Sequence, residues 1–297
     1  MKSNDGTAER RLCPICLSGR LEDAKQVARI PSNVRRWQQH TTTVWQCPQC
    51  QSLHSLEKLD LGPYYHDYPF SRRRLDFFNR RVFSGYLHQL RRLGLRPTDS
   101  ILDYGCSEGL LLRFLQDQGY RNCAGYDAFS IKYSDPEVLR HKYDFVICQD
   151  VIEHSEDPRG LLGEISGRLR PGGILYLGTP AADQIDLRDF ERSIHSLHQP
   201  YHLHIMTKEA LKSLADAANL TCVAMDYVDP CDTPYPFINR RFLNAYLAAV
   251  DNTLDAGFDP AQIGLVLRSP KLLFLGLFGY WLPPVRSEIR AIFRKTS

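Results

Sequence analysis

The chain has 297 residues and 43% hydrophobic content, enough for one large α/β domain and a small appendage. Its net charge is +3, but residues 1–97 hold 17 basic and 8 acidic side chains, which predicts an anionic partner for this third. The first residues lack an apolar signal segment, and the longest apolar run, residues 272–282, is too short to cross a bilayer. We therefore expect a cytoplasmic protein without a transmembrane segment.

Four of the nine cysteines form two Cys-Pro-x-Cys pairs. Cys13 and Cys16 form one pair, and Cys47 and Cys50 form the other further along the chain. A two-residue gap lets a tight turn direct both thiolates at one ion, so two such pairs complete a closed four-cysteine shell. The pattern predicts a structural zinc ribbon over residues 1–62, with short strands near residues 27–30 and 42–45.

Residues 63–97 combine an aromatic loop with a basic helix. Tyr64, Tyr65 and His66 lie in a turn-rich segment and are candidates to cap an active site. Apolar residues recur at helical spacing over residues 72–93 and alternate with arginines. These arginines form either a solvated helix face or a basic rim, led by residues 72–74, for a phosphate-bearing substrate.

The segment after residue 98 reads as a strand, a small-residue turn and a helix. Residues 100–109, Ser-Ile-Leu-Asp-Tyr-Gly-Cys-Ser-Glu-Gly, place Asp103, Gly105 and Gly109 where a strand ends, and an apolar helix follows. Such a turn allows close backbone approach to a ligand at a helix N-terminus. After this helix, a second short strand ends in Asp127, a carboxylate that can accept both hydroxyls of a ribose.

Two further segments complete an ordered series. They are Tyr-Asp-Phe-Val-Ile-Cys-Gln-Asp-Val-Ile-Glu-His at residues 143–154 and Leu-Arg-Pro-Gly-Gly at residues 169–173. From about residue 98 to 229 the chain resembles the class I methyltransferases that use S-adenosylmethionine, and especially their ubiquinone-biosynthesis-like branch. The resemblance implies an α/β, Rossmann-like, seven-stranded sheet in residues 98–297.

By this resemblance, the cofactor is S-adenosylmethionine. Its binding residues are expected to be Asp103, Gly105, Cys106, Ser107, Gly109, Asp127 and Asp150. Ser107 stands where the family usually has its middle glycine. The segment between Asp127 and Asp144 is too short for the usual helix and a full third strand, so the adenine-side contacts stay open with Asp135 as a candidate.

The residues at the end of the fourth family strand are candidates for the chemistry. Methyl transfer needs alignment of the acceptor and, for some acceptors, removal of a proton. Asp150, Glu153 and His154 resemble an E-x-x-E-H segment that holds a divalent cation in ubiquinone-type and small-RNA methyltransferases. His154 is thus a base or substrate ligand, a cation ligand with Glu153 and Asp150, or a structural contact, and the sequence leaves these alternatives open.

Two histidines precede a predicted helix over residues 208–217 with Thr207 as its N-cap. In relatives, one histidine of this segment commonly faces the active site. Only one of His202 and His204 is expected to face inward, and we choose His204. With Tyr65 as a cap, the predicted catalytic set is His154, Glu153, His204 and Tyr65.

A long insertion separates the last two family strands. The sixth strand is predicted at residues 221–228 and the closing strand at residues 288–295, leaving residues 230–284 between them. This insertion can form a lid over substrate, a homodimer contact or an interfacial membrane helix, and we favour the lid or the protein contact.

The order of ribbon, aromatic loop and methyltransferase core resembles bacterial enzymes that methylate sugars and natural-product intermediates on oxygen or carbon. The favoured hypothesis is therefore a small-molecule acceptor. The first alternative is RNA methylation, with the ribbon and the basic N-terminal third binding phosphates. A non-catalytic scaffold is the third.

Overall fold

The N-terminal part of the protein is a small antiparallel sheet. The computed structural model describes residues 9–66 and 68–296, except for the side chain of Ser71. Residues 1–8 of the predicted ribbon, Asp67 of the aromatic loop and Ser297 lie outside this description. The sheet begins with three strands: β1 Val27–Pro31, β2 Thr41–Gln46 and β3 Leu53–Ser55. The two predicted ribbon strands therefore correspond to β1 and β2.

Two helices follow the ribbon: α1 Gly62–His66 and α2 Phe77–Arg92. Helix α2 begins later than its predicted range because the Asp76 side chain accepts the backbone N–H of Asn79 and caps the helix there. Its buried face consists of Asn79, Val82, Phe83, Leu87 and Leu90.

The remaining elements alternate between strands and helices, which is the pattern of a doubly wound sheet. In chain order they are β4 Ile101–Tyr104, α3 Leu110–Asp117, β5 Cys123–Tyr126, β6 Tyr143–Gln149, α4 Pro158–Arg168, β7 Leu169–Pro180, α5 Ile194–Leu197, β8 His204–Ile205, α6 Lys208–Ala217, β9 Leu220–Val228, α7 Arg240–Val250, α8 Ile263–Arg268, α9 Pro270–Phe278 and β10 Glu288–Lys295.

The main sheet has the strand order β5-β4-β6-β7-β10-β9. Strands β5, β4, β6 and β7 run parallel, whereas β10 is antiparallel to both of its neighbours. Helices α2 and α3 cover one face, and α4 and α6 cover the other. The predicted α/β, Rossmann-like fold class is confirmed.

The strand number differs from the expectation. Within the described residues the main sheet has six strands and not seven. The short connection between Asp127 and Asp144 contains only a 3-10 turn, Pro136–Arg140, and β5 is left as the edge strand. The connection is too short for the helix and additional strand that the family pattern implies, and the structure contains neither there.

The ribbon and the core share a sheet. Strand β8 pairs antiparallel with β3, with Leu53 opposite Ile205 and His54 opposite His204. The shared sheet combines residues from both sides of the predicted boundaries at residues 62 and 97. These boundaries stay predictions.

Part of the charge asymmetry is offset by ion pairs between distant parts of the chain. Arg10 pairs with Glu156, Arg35 with Asp251 and Asp259, and Arg72 with Asp255 and Asp259. Several cations of the basic N-terminal third thus neutralise acids of the core and the insertion.

The insertion between β9 and β10 contains α7, α8 and α9 around its own apolar cluster, formed by Tyr246, Leu247, Ala256 and Leu272. Its acidic residues Asp251, Asp255 and Asp259 contact the ribbon and the segment before α2 through the ion pairs above. Among residues 9–66 and 68–296, we find no helix that is long and apolar enough to span a membrane.

Candidate active site

The turn after β4 is shaped by glycines that no other residue replaces without strain. Gly105 has φ of +81°, and a Cβ atom there would lie 2.2 Å from the Val151 side chain. Gly109 has φ of +69° and lies directly under Tyr133, whose hydroxyl would be 2.3 Å from an added Cβ. Ser107 adopts φ of +48°, so it takes the conformation of the glycine it replaces. The turn brings backbone close to the ends of β4 and β6.

Asp127 joins this turn to the loop after β5. One carboxylate oxygen accepts the backbone N–H of Ser107 at 2.8 Å, and the other accepts that of Phe129 at 2.9 Å. Each oxygen keeps a further lone pair for a ligand. Asp127 therefore holds the two loops in register, and we call the region between the Gly105 turn and the Asp127 loop the crevice.

Asp103 lies under the turn and is almost fully buried. Burial, with a smaller contribution from the negative charge of Asp127, raises the pKa of the Asp103 carboxyl to about 7. Cys106 is also buried, and its Sγ would lie 2.7 Å from a Cβ at Gly125, so its side chain packs between the turn and β5. Neither group is freely exposed to solvent.

A cluster of one carboxylate and two imidazoles follows β6. The ligand atoms of Glu153, His154 and His202 all lie within 4.8 Å of one another. Glu153 is fully buried, and one of its oxygens accepts the Thr179 hydroxyl at 2.9 Å. The other oxygen has no hydrogen-bond partner among the residues that the structure describes, and it lies 3.9 Å from His202 Nε2. An unpartnered buried carboxylate oxygen beside two imidazoles is a site for a cation or a proton.

The two imidazoles are oriented by contacts on their outer sides. His202 Nδ1 lies 2.8 Å from the Ser196 carbonyl and donates to it, which leaves the Nε2 lone pair facing Glu153. His154 Nδ1 lies 2.9 Å from the Tyr65 hydroxyl, which leaves its Nε2 toward the cluster. Hydrogen bonds of this kind fix the orientation of histidines that bind metals.

Burial shifts the pKa of each member of this cluster toward its neutral form. It lowers the pKa of His154 to about 4 and that of His202 well below its ordinary value. Burial, with the nearby negative charge of Asp150, raises the pKa of Glu153 well above its ordinary value. At neutral pH both imidazoles are therefore neutral, and their lone pairs are available to a cation.

Tyr65 connects the crevice to the cluster. Its hydroxyl contacts His154, and its ring stacks on Phe129, two residues after Asp127, with centroids 4.9 Å apart. Behind it, the Tyr68 hydroxyl lies 2.8 Å from His198 Nε2, and His198 Nδ1 donates to Asn33 Oδ1. The aromatic loop thus covers the cluster, and a residue of the ribbon supports it.

Asp150 lies at the rim of the same region. It has φ of +54°, and its side chain accepts a hydrogen bond from Gln149, which also donates to Glu288. It is not among the three residues whose ligand atoms converge. The structure therefore groups Glu153 and His154 with His202, whereas the sequence grouped them with Asp150.

The choice of His204 as the inward-facing histidine requires correction. His204 Nδ1 lies 3.0 Å from His54 Nδ1, and His54 Nε2 lies 3.1 Å from Cys13 Sγ. His204 faces the ribbon because β8 pairs with β3, and this pairing turns His202 toward Glu153 instead. Tyr133, Thr179 and His198 gave no signal in the sequence that distinguished them from other polar residues.

The arginines before α2 also differ from the expectation. Arg72 is held by Asp255 at 2.7 Å and by Asp259 at 3.0 Å. The charge of Arg72 is therefore satisfied within the chain, and a phosphate contact by Arg73 or Arg74 stays a prediction.

The four ribbon cysteines converge as predicted. Cys13 Sγ lies 3.5 Å from Cys50 Sγ, and Cys16 Sγ lies 3.6 Å from Cys47 Sγ, with all four sulfurs within 4.8 Å of one another. A tetrahedral zinc site with Zn–S bonds of about 2.3 Å places its sulfurs ~3.8 Å apart, so the set fits this ion. Backbone N–H groups of Cys16, Gly19 and Cys50 point at the sulfurs, as they do around thiolates.

The parallel strands, the reversed strand β10 and the glycine turn facing Asp127 define a class I methyltransferase fold. The chain belongs to this family: residues 78–225, from α2 to β9, match the model described as "Methyltransferase domain".

Individual relatives are distant. Ubiquinone biosynthesis O-methyltransferase of Coxiella burnetii is 27% identical over 99 residues, which cover 27% of this chain and 42% of the relative. The chain thus spans less than half the length of the curated relatives it matches. Phosphoethanolamine N-methyltransferase 2 of Haemonchus contortus, solved with S-adenosyl-L-methionine, is 14% identical with a TM-score of 0.49, covering 92% of this chain and 68% of that one. A methyltransferase of Archaeoglobus fulgidus is 16% identical with a TM-score of 0.44, covering 72% and 94%.

Proposed function

We propose that this protein transfers a methyl group from S-adenosylmethionine to a small-molecule acceptor, a sugar, glycan precursor or natural-product intermediate, on oxygen or carbon. The observation that carries the proposal is the bridge made by Tyr65, which stacks beside the Asp127 loop and contacts His154. The Tyr65 ring contacts the loop that borders the proposed cofactor crevice, and the Tyr65 hydroxyl contacts the polar cluster. An acceptor between them is covered by the aromatic loop.

The residues of the crevice fit the cofactor. Asp127 keeps free lone pairs for the two ribose hydroxyls, and Gly105 and Gly109 give the turn its shape, with Val151 and Tyr133 packed where a Cβ would lie. By the family resemblance Asp103 would lie beside the methionine part, where an ionised carboxyl would attract the cationic amine. Cys106 and Ser107 shape the turn, and Asp150 borders the crevice. The bound cofactor supplies an activated methyl group on its sulfonium.

The cluster handles the proton of the acceptor. Tyr65 orients the neutral imidazole of His154, so an acceptor hydroxyl can donate a hydrogen bond to it, although the low pKa of His154 makes it a weak base by itself. Glu153, His154 and His202 form a two-histidine, one-carboxylate set that also suits a divalent cation. A divalent cation held by these three residues would lower the pKa of an acceptor hydroxyl and fix its position.

We propose a structural role for zinc in the ribbon. All four tetrahedral positions are taken by Cys13, Cys16, Cys47 and Cys50, and none is left for substrate.

RNA methylation is less favoured because Arg10, Arg35 and Arg72 of the basic N-terminal third are already paired with acids of the same chain. Cations paired in this way release few counterions on binding a polyanion.

Incubation of the purified protein with radiolabelled S-adenosylmethionine and fractionated cell extract tests the proposal. We expect label to enter a low-molecular-weight product that mass spectrometry identifies, and Tyr65→Phe to reduce its formation. Label that enters only RNA would contradict a small-molecule acceptor, and no labelled product in any fraction would contradict the activity.

The cation is tested separately by binding. Titration with Mn²⁺, followed by the paramagnetic relaxation of water protons, is expected to show one site that His202→Ala weakens by at least about ten-fold. His141→Ala, a change of an exposed histidine outside the cluster, serves as the control. Equal Mn²⁺ affinity in all three proteins would remove the cation from the mechanism.

A further inference from the structure

The second half of the insertion has an unusual charge pattern. Residues 260–287 contain no aspartate or glutamate, but they contain Arg268, Lys271 and Arg286. The preceding part of the insertion is acidic, and its acids pair with Arg35 and Arg72. The insertion is therefore divided into an acidic end that contacts the rest of the chain and a basic end that does not take part in those pairs.

The helices of the basic end direct apolar side chains to solvent. In α9, Leu272 and Gly276 face inward, and Gly276 packs so closely on Phe237 that an added Cβ would lie 2.2 Å from its ring. Phe274 and Phe278, four residues apart, are 51% and 52% exposed and contact each other with centroids 5.6 Å apart. One face of α9 is thus fixed to the protein, and the opposite face is free.

Large apolar side chains are also exposed in the segments on either side of α9. Ile263 and Leu267 of α8 are 66% and 65% exposed, and Trp281 after α9 is 68% exposed. With Phe274, Leu277 and Phe278 they form what we call the apolar surface. Single exposed apolar residues are ordinary, but a group of six large ones on two successive helices and the turn after them marks an interaction surface.

We infer that the apolar surface docks on the surface of a lipid bilayer that contains anionic lipids. The charge complementarity supports this partner: the exposed cations Arg268, Lys271 and Arg286 flank the surface, and no acid lies between them to repel lipid phosphates. Trp281 and Tyr280 are residue types that favour the boundary between headgroups and acyl chains.

Helix α9 lies along the bilayer and does not cross it. Its nine residues extend over about 14 Å, whereas the hydrocarbon core is about 30 Å thick. The apolar surface therefore enters only the boundary region, with Lys271 and Arg268 at the level of the phosphates. Docking at this end leaves the acidic end of the insertion in contact with Arg72, beside the aromatic loop that carries Tyr65.

Co-sedimentation of the full chain with vesicles tests the inference. One set of vesicles is phosphatidylcholine alone, and the other contains about one third phosphatidylglycerol. We expect binding to the anionic vesicles that weakens with added salt, little binding to the neutral ones, and a blue shift of Trp281 fluorescence that is lost in Trp281→Phe.

Two variants separate the apolar and the charge contributions. Phe274→Ser with Phe278→Ser is expected to weaken binding at least about ten-fold. Arg268→Ser with Lys271→Ser is expected to weaken it about 30-fold, because each basic residue contributes roughly five-fold and the two factors multiply. Val223→Ser on β9 is the matched control, because Val223 is 49% exposed but lies outside the apolar surface.

Two results would overturn the inference. One is equal recovery of the wild type and both double variants with anionic vesicles. The other is a stable dimer in sedimentation velocity that Phe274→Ser with Phe278→Ser dissociates, since the surface would then be covered by a second copy. Neither result depends on methyl transfer, so the inference stands or fails apart from the proposed function.

Discussion

Asp103 is a carboxyl group enclosed at the end of β4, and its surroundings make its charge depend on pH near neutrality. Burial and the charge of Asp127 raise its pKa to about 7, so it is largely protonated below that pH and ionised above it. A bound cationic cofactor favours the ionised form, and by linkage the ionised form binds the cofactor more tightly.

We therefore predict that affinity for S-adenosylmethionine rises from pH 6 to pH 8, by up to about ten-fold per unit on the acid side of the transition. Calorimetry at three pH values measures this, and Asp103→Asn is expected to flatten the dependence. A wild-type affinity that does not change over this range would show that ionisation of Asp103 is not linked to cofactor binding.

His202 and His204 are two residues apart but have different surroundings, so their substitution should separate two functions. His202→Ala removes a member of the Glu153 cluster, and we expect turnover to fall about 10- to 100-fold with the zinc content unchanged. His204→Ala leaves His54 without its partner beside Cys13, and we expect it to cost about 1–3 kcal/mol of stability.

Turnover, zinc content by elemental analysis and thermal unfolding measure these effects. A His204→Ala protein with normal stability but lost turnover would reverse the two assignments.

Strand β8 links the ribbon to the Glu153 cluster. Strand β8 has only two residues, and it is held by pairing with β3 of the ribbon. His202 lies two residues before β8, so its orientation depends on the ribbon sheet. Leu203 reinforces the link because its backbone N–H donates to the Glu153 carbonyl at 2.7 Å.

Loss of zinc from the ribbon should therefore also change the geometry of the His202 cluster. We predict that Cys47→Ser lowers the melting temperature and weakens Mn²⁺ binding at the His202 cluster, although Cys47 is not part of that cluster. Cys222→Ser, a change of a half-buried cysteine on β9, is the control. A Cys47→Ser protein with full Mn²⁺ affinity would show that the ribbon and the cluster are independent.

At the scale of the whole molecule, local patterns predicted the elements well. The helix at Lys208–Ala217 and its Thr207 cap agree with the prediction, because the Thr207 hydroxyl accepts the Ala210 N–H within one turn. The closing strand Glu288–Lys295 and the convergence of the cysteine pairs also follow from short-range spacing.

Features set by distant contacts were not predictable in this way. His202 faces the cluster because β8 pairs with β3, a strand that lies far earlier in the chain. Arg72 is neutralised by Asp255 and Asp259, which are equally remote in sequence. A pattern of neighbouring residues cannot predict either contact. The first determines which histidine faces Glu153, and the second removes Arg72 from the expected phosphate contact.

The central claim is that the crevice between the Gly105 turn and Asp127 binds S-adenosylmethionine, and direct calorimetric titration tests it. We expect one site per chain in the wild type and at least about ten-fold weaker binding in Asp127→Ala, with the fold retained by circular dichroism. Asp216→Ala, a change of an exposed acid on α6, should leave binding unchanged. A folded wild-type protein that binds no cofactor, or an Asp127→Ala protein that binds as tightly as the wild type, would contradict it.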